Sequence, residues 1–164
     1  MTRLSEAIEQ IDFARQYTQE RILTIPFKEW FTVPTVAVST IGWQVGHLAM
    51  AQYRVCLERL RKRTAADEEL ISDDFLSAFG RNSQPTALNG YTAETIFEVF
   101  QRVHQQVLSE LPIYPDSHLD LEPLRPHPLF TTRIGALRYA PMHEMIHCGQ
   151  IAFLRRMLGH QPIW

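Results

Sequence analysis

The chain has 164 residues, 45% hydrophobic and 21% charged, enough for one domain spanning 1–164 with a real core, in the composition range of ordinary soluble proteins. A formal charge of −2 gives no electrostatic ground for nucleic-acid or anionic-membrane binding, and no apolar run approaches the ~18 residues of a membrane span. MTRLSEAIEQ reads as a polar helix start and not as a signal peptide, and the two cysteines, Cys56 and Cys148, form neither a CxxC pair nor a disulfide framework, so a cytoplasmic location is expected.

Residues 4–24 carry Leu4, Ala7, Ile8, Ile11, Ala14, Ile22 and Leu23 at mostly helical spacing, which predicts a first helix. Pro26 and Pro34 then bracket a stiff connector whose Phe27, Trp30 and Phe31 are expected to cover one end of the core. Ser39 or Thr40 caps a second helix, from Ile41 to about Arg63, through Trp43, Val45, Leu48, Val55, Leu57 and Leu60. Its basic end, RLRKR, suits the negative pole of the helix and contact with water. Residues 64–80 are acidic and read as a turn with short helical pieces and a solvated surface, and residues 81–90 as loop. Thr92 caps a third helix running to about Leu111 through Ile96, Phe97, Val99, Phe100, Val103 and Val107. The next twenty residues hold Pro112, Pro115, Pro123, Pro126 and Pro128, five of the ten prolines, a density that excludes regular helix and makes a long crossover or lid. A long last helix occupies 132–159, with Ile134, Leu137, Tyr139, Ala140, Ile151, Leu154 and Leu158 as its stripe. No segment reads convincingly as a strand, so the expectation is an all-α chain of four main helices with a long Pro-rich connection before the last.

The last helix carries His143 and His147, four residues apart and therefore on one face, with Cβ atoms roughly 5–6 Å apart. Two imidazoles so placed can share a metal ion, but a third ligand must come from elsewhere. With Glu144 they complete H-E-x-x-H, a zinc-protease signature. That reading is weak, because no Asp or Glu follows His147 and Gln150 and Phe153 stand where the longer signature needs Gly and His. Upstream, His47 lies mid-helix beside Gly46, whose cost of roughly 1 kcal/mol in helix propensity points to a packing or site reason. His47 is the expected third ligand.

TIGWQVGHLAMAQYR, followed about a hundred residues later by HEMIHCGQIAFLRRMLG, resembles the DinB superfamily, which includes the YfiT-like proteins. The family pattern is a histidine on the second helix, then H-x-x-x-H on the last, often with G-Q-I/L, ending L-R-R-x-L-G. The resemblance implies a four-helix bundle, commonly a homodimer, holding a divalent metal through His47, His143 and His147. Zinc or nickel suits such ligands best, and iron or copper is also compatible. Relatives include transferases that use low-molecular-weight thiols, which implies a metal-dependent transferase or hydrolase of a small, thiol-bearing substrate. Three neutral imidazoles leave an open coordination position at which water or a thiol can be activated. The alternative from another class is a non-catalytic metal-binding bundle for stress response or sensing. Two departures stand out: Pro141 should kink or restart the last helix, and the preceding segment is unusually proline-rich.

Gln44, Glu144, Gln150 and Tyr139 are expected around the metal, with Glu144 and Gln150 the candidates for a catalytic part. His104 reads as a core or boundary residue, and His118, His127 and His160 as surface ones. Cys148 is turned about 100° from His147 and Cys56 reads as a small buried apolar residue. Trp164 is expected to pack on the bundle or across a subunit contact.

Overall fold

The structure is a computed structural model that describes residues 2–35, 37–86 and 89–163. Trp164 lies outside the described residues. Among the described residues, and taking Arg59–Arg61 as the end of α2, six helices build it: α1 (Arg3–Ile22), α2 (Ile41–Tyr53), α3 (Asp67–Leu70), α4 (Asp73–Ala78), α5 (Ala93–Glu110) and α6 (Arg133–Met157). The four long ones are those the periodicity predicts, and among the described residues there is no strand, only an isolated bridge between His127 and Phe130. Side-chain caps start them: Thr2, Thr40, Thr92 and Thr132 each accept a hydrogen bond from the backbone N–H three residues on. The helices pack as an all-α bundle in which α1 lies against α6, and α2 against both α5 and α6. Ile11, Leu48, Phe100, Leu137 and Ile151 meet in its core. Trp30 closes one end, fully buried and donating from Nε1 to the Ile25 carbonyl at 3.2 Å.

Two helices depart from expectation. α2 does not run as one α-helix to Arg63; it widens into a π-helical turn (Arg54–Glu58), regains a last α turn (Arg59–Arg61) and stops at Lys62, whose φ of 71° no α-helix accepts. α6 passes through Pro141 without restarting, although the ring removes the N–H that would bond the Leu137 carbonyl. The basic end of α2 is also more than a solvated cap. Arg61 is bonded to Asp67 and Glu110, and Arg63 to Glu68 and Asp73, so the acidic stretch after α2 folds back onto the basic one.

The Pro-rich crossover contains two 3-10 turns, Leu111–Ile113 and Asp116–His118. Backbone bonds hold it down: Leu124 N to the Arg59 carbonyl at 2.9 Å, Ile134 N to the Leu119 carbonyl at 2.9 Å, and Arg133 N to the Leu121 carbonyl at 3.0 Å. Leu119 and Phe130 anchor it in the core.

A charged pair crosses the bundle between α1 and α6. Arg15 donates from Nε and Nη2 to the two Glu144 oxygens, both at 3.0 Å, and from Nη1 to the Phe100 carbonyl at 2.8 Å. Its guanidinium lies 3.6 Å from the Phe100 ring centre. Both residues are buried, and a buried pair is worth most as a pair, since removing one member strands the other's charge. Arg15→Met is expected to destabilise the chain by about 3–5 kcal/mol, whereas Arg15→Met with Glu144→Leu should recover most of that loss. Urea denaturation of the two variants beside the parent measures both numbers.

Candidate metal centre

His47, His143 and His147 come together from two helices far apart in sequence. One ring nitrogen of each lies within 4.8 Å of the other two, and all three residues are half-buried. Ring centres are 4.6 Å apart for His47 and His147, 4.5 Å for His143 and His147, and 5.4 Å for His47 and His143. Nitrogen ligands about 2.0–2.1 Å from a tetrahedral ion stand roughly 3.4 Å from one another, so small ring rotations bring these donors to one ion. No carboxylate or thiol joins the group among the described residues, which leaves a three-imidazole donor set.

The local structure also fixes which nitrogen faces inward. His47 Nδ1 lies 2.8 Å from the Phe79 carbonyl, an acceptor only, so Nδ1 carries the proton and Nε2 presents its lone pair. His147 Nδ1 lies 2.6 Å from Gln44 Oε1, and Gln44 Nε2 donates to Ser39 Oγ at 2.9 Å while that hydroxyl donates to the Thr40 carbonyl at 3.5 Å, an arrangement in which Nδ1 carries the proton. His147 therefore also offers Nε2. His143 has no hydrogen-bond partner of this kind among the described residues; Tyr139, one turn earlier on α6, stands beside it with ring centres 5.7 Å apart. Trp43 stacks on His47 at 4.8 Å and is held by its own bond to Ser83 Oγ at 2.9 Å. Gly46 has its packing reason: a Cβ there would lie 2.4 Å from the Phe79 ring, and Phe79 is the residue whose carbonyl orients His47.

A model of the DinB superfamily matches residues 10–151. The chain belongs to the DinB superfamily. Among solved structures, a conserved protein from Enterococcus faecalis superposes with a TM-score of 0.70 over 98% of this chain and 99% of that one, at 15% identity, which shows a shared fold alone. No curated protein matches.

In this DinB-superfamily chain the other residues singled out from sequence fall into two groups. Gln44 and Tyr139 stand beside the histidines. Gln150 is solvent-exposed and lines a groove of about 490 Å³ with Gln44, Ile146 and Phe153. Glu144 is elsewhere: one residue past His143 it points around α6 into the interior, and both its oxygens are taken by Arg15. It neither bonds a ligand imidazole nor faces solvent, and a zinc protease's general base is thereby missing. Cys148 is buried beside Thr18 and Cys56 is fully buried, neither being near enough to join the cluster. His104 is a boundary histidine, bonded to Asp12 at 3.0 Å and Gln52 at 3.2 Å. His118 is exposed, but His127 and His160 are only half so: His160 meets Glu29 at 2.7 Å, and His127 stacks on Phe130 at 4.2 Å and stands 5.2 Å from Tyr139. The Phe79 carbonyl is a contributor that sequence could not mark, because any residue supplies a carbonyl; Gly46 inside the helix, against which the Phe79 ring packs, is its trace in the sequence.

Burial lowers the proton affinity of all three imidazoles. Desolvation takes His143 down to about 4, helped by the neighbouring His47 and His127 charges. Desolvation, then the His143 and His47 charges, take His147 down to about 3. His47 is lowered mainly by desolvation, against the opposing pull of the Phe79 carbonyl. His143 and His147 are thus already neutral well below pH 7 in the metal-free site. At pH 6, three ordinary imidazoles would release about two protons on binding an ion. This site is expected to release fewer than one, which calorimetry in buffers of differing ionisation enthalpy measures.

Proposed function

We propose that this DinB-superfamily chain binds one divalent ion, zinc or nickel before iron or copper, through Nε2 of His47, Nε2 of His147 and a ring nitrogen of His143, and uses it to transfer or hydrolyse a group on a small molecule, a low-molecular-weight thiol being the first candidate. The observation that carries this reading is the neutral three-imidazole cluster, which no fourth protein ligand completes among the described residues. An ion held there supplies Lewis acidity toward the thiol, water or carbonyl that reaches its open side. The chain's own residues do the rest. Phe79 and Gln44 hold the His47 and His147 rings in the orientation that offers Nε2, and Trp43 flattens one wall against His47. Burial raises the Tyr139 phenol above its usual range, against the Arg59 charge, so it stays protonated at neutral pH and can donate a hydrogen bond beside His143. Gln150 offers a polar group at the groove on the His147 side.

We propose further that the chain acts as a homodimer in the cytoplasm. No helix among the described residues is long and apolar enough to cross a membrane, and both cysteines are free and buried, as a reducing compartment allows. A second copy suits the groove of about 830 Å³ between α1 and α6, whose rim exposes Phe13 at 65%, Met142 at 65% and Met145 at 39%. Phe13→Glu with Met142→Glu is expected to convert a dimer to a monomer in sedimentation equilibrium; a parent that is itself monomeric ends the dimer reading.

For the metal, atomic spectroscopy of the purified parent is expected to find about one ion per chain, His143→Ala to lower the content at least tenfold, and Gln44→Ala to weaken affinity by about 10–100-fold. Metal-loaded parent assayed with small thiols and electrophiles should turn over, and His47→Ala should not. Metal binding without turnover on any substrate favours the sensing module instead.

A further inference from the structure

Two guanidiniums follow His47 along α2 and its π-helical turn without forming an ion pair among the described residues. Arg54 opens the π-helical turn of α2, two helical turns after His47 and so on the same side of the helix. Arg59 follows at the end of that turn, and its Nη1 donates to the Arg54 carbonyl at 3.3 Å. Its Cζ lies 5.9 Å from the centre of the Phe130 ring. From there the contacts run inward: Phe130 to Tyr139 at 5.5 Å, then Tyr139 to His143 at 5.7 Å. Among the described residues neither Arg54 nor Arg59 forms an ion pair. The buried Nε of each has no hydrogen-bond partner. The one carboxylate in the same turn, Glu58, is paired with Arg125 at 3.4 Å, so three guanidiniums share a single acid.

A guanidinium drawn partly out of water with its Nε unbonded and no carboxylate of its own is costly, and an oxyanion is the group that satisfies its fork. A π turn is also a common way for a helix to re-aim side chains at a functional site. We propose that Arg54 and Arg59 form an anion-binding subsite for a carboxylate or phosphate carried by the small molecule whose reacting group sits at the three histidines. The placement gives that molecule two ends: a neutral or thiol head at the cluster and an oxyanion two or more helical turns away along α2, less the reach of the arginine side chains. The Pro-rich crossover fixes this wall, since Leu124 N is bonded to the Arg59 carbonyl.

The subsite rests on the metal-centre reading only for what the other end of the ligand does, and the test separates the two. In the first arm, metal-free protein is titrated with inorganic phosphate at fixed ionic strength by calorimetry. The parent is expected to bind saturably, Arg54→Gln with Arg59→Gln to weaken binding at least about tenfold, and Arg54→Lys with Arg59→Lys to weaken it by less. A parent that does not bind phosphate, or a glutamine variant that binds as well as the parent, overturns the subsite. Should the double variant not fold, Arg59→Gln alone is read in the same way. In the second arm, cobalt-loaded protein is titrated with 3-mercaptopropionate and with 2-mercaptoethanol, and thiolate-to-cobalt charge transfer is followed. The parent is expected to prefer the acid about tenfold and the glutamine variant to lose the preference with its cobalt content unchanged. Equal affinity of the parent for both thiols overturns the link between the two ends, while failure to take up cobalt overturns the metal centre and leaves the phosphate result standing.

Discussion

The rotation of α6 about its own axis is set by a buried ion pair, and the histidine cluster follows from it. Successive residues on a helix point about 100° apart. Once Arg15 on α1 claims Glu144, the neighbouring His143, and His147 one turn on, are turned toward α2. The pair contributes little net energy compared with an apolar replacement of the same volume, but it specifies one azimuth where a smooth stripe of Leu and Ile would tolerate several. Pro141 sits just before this point, in the part of α6 where a backbone hydrogen bond is missing, so the side-chain anchor acts where the helix is weakest.

On the other helix the equivalent work is done by contact rather than charge. The absence of a side chain at Gly46 lets the Phe79 ring sit against α2, and the same residue's carbonyl then reaches the His47 ring. α4 thereby has a task that its length would not suggest: six residues deliver one backbone acceptor to the site. Gln44 completes the frame by tying the last helix to the second through His147.

The four long helices and the three histidines were legible because each rests on a local pattern: threonine caps, apolar spacing, and an i, i+4 imidazole pair. What stayed hidden rests on pairings between distant residues. A lone arginine among the apolar positions of the first helix gives no sign that it will be buried against a glutamate 129 positions later. The basic end of α2 and the acidic stretch after it each look solvated alone, and become partners only when the chain reverses at Lys62. The π turn is invisible in sequence for a related reason, since the residues 54–58 are as compatible with an α-helix as with the wider coil. Glu144 is expected beside the metal because it directly follows a ligand in sequence, but the 100° step between neighbours turns it inward, where Arg15 of α1 takes both its oxygens.

The burial of both cysteines bears on any sulfur chemistry at the cluster. Cys56 is wholly enclosed, with its thiol pushed up to about 12 by desolvation, and Cys148 turns away toward Thr18. An incoming thiolate therefore finds no protein sulfur to pair with, so a mixed disulfide with the chain is not a trap on its path. Among the described residues the sulfur that oxidants meet on the surface of this fold is therefore thioether, at Met142 and Met145, and not thiol.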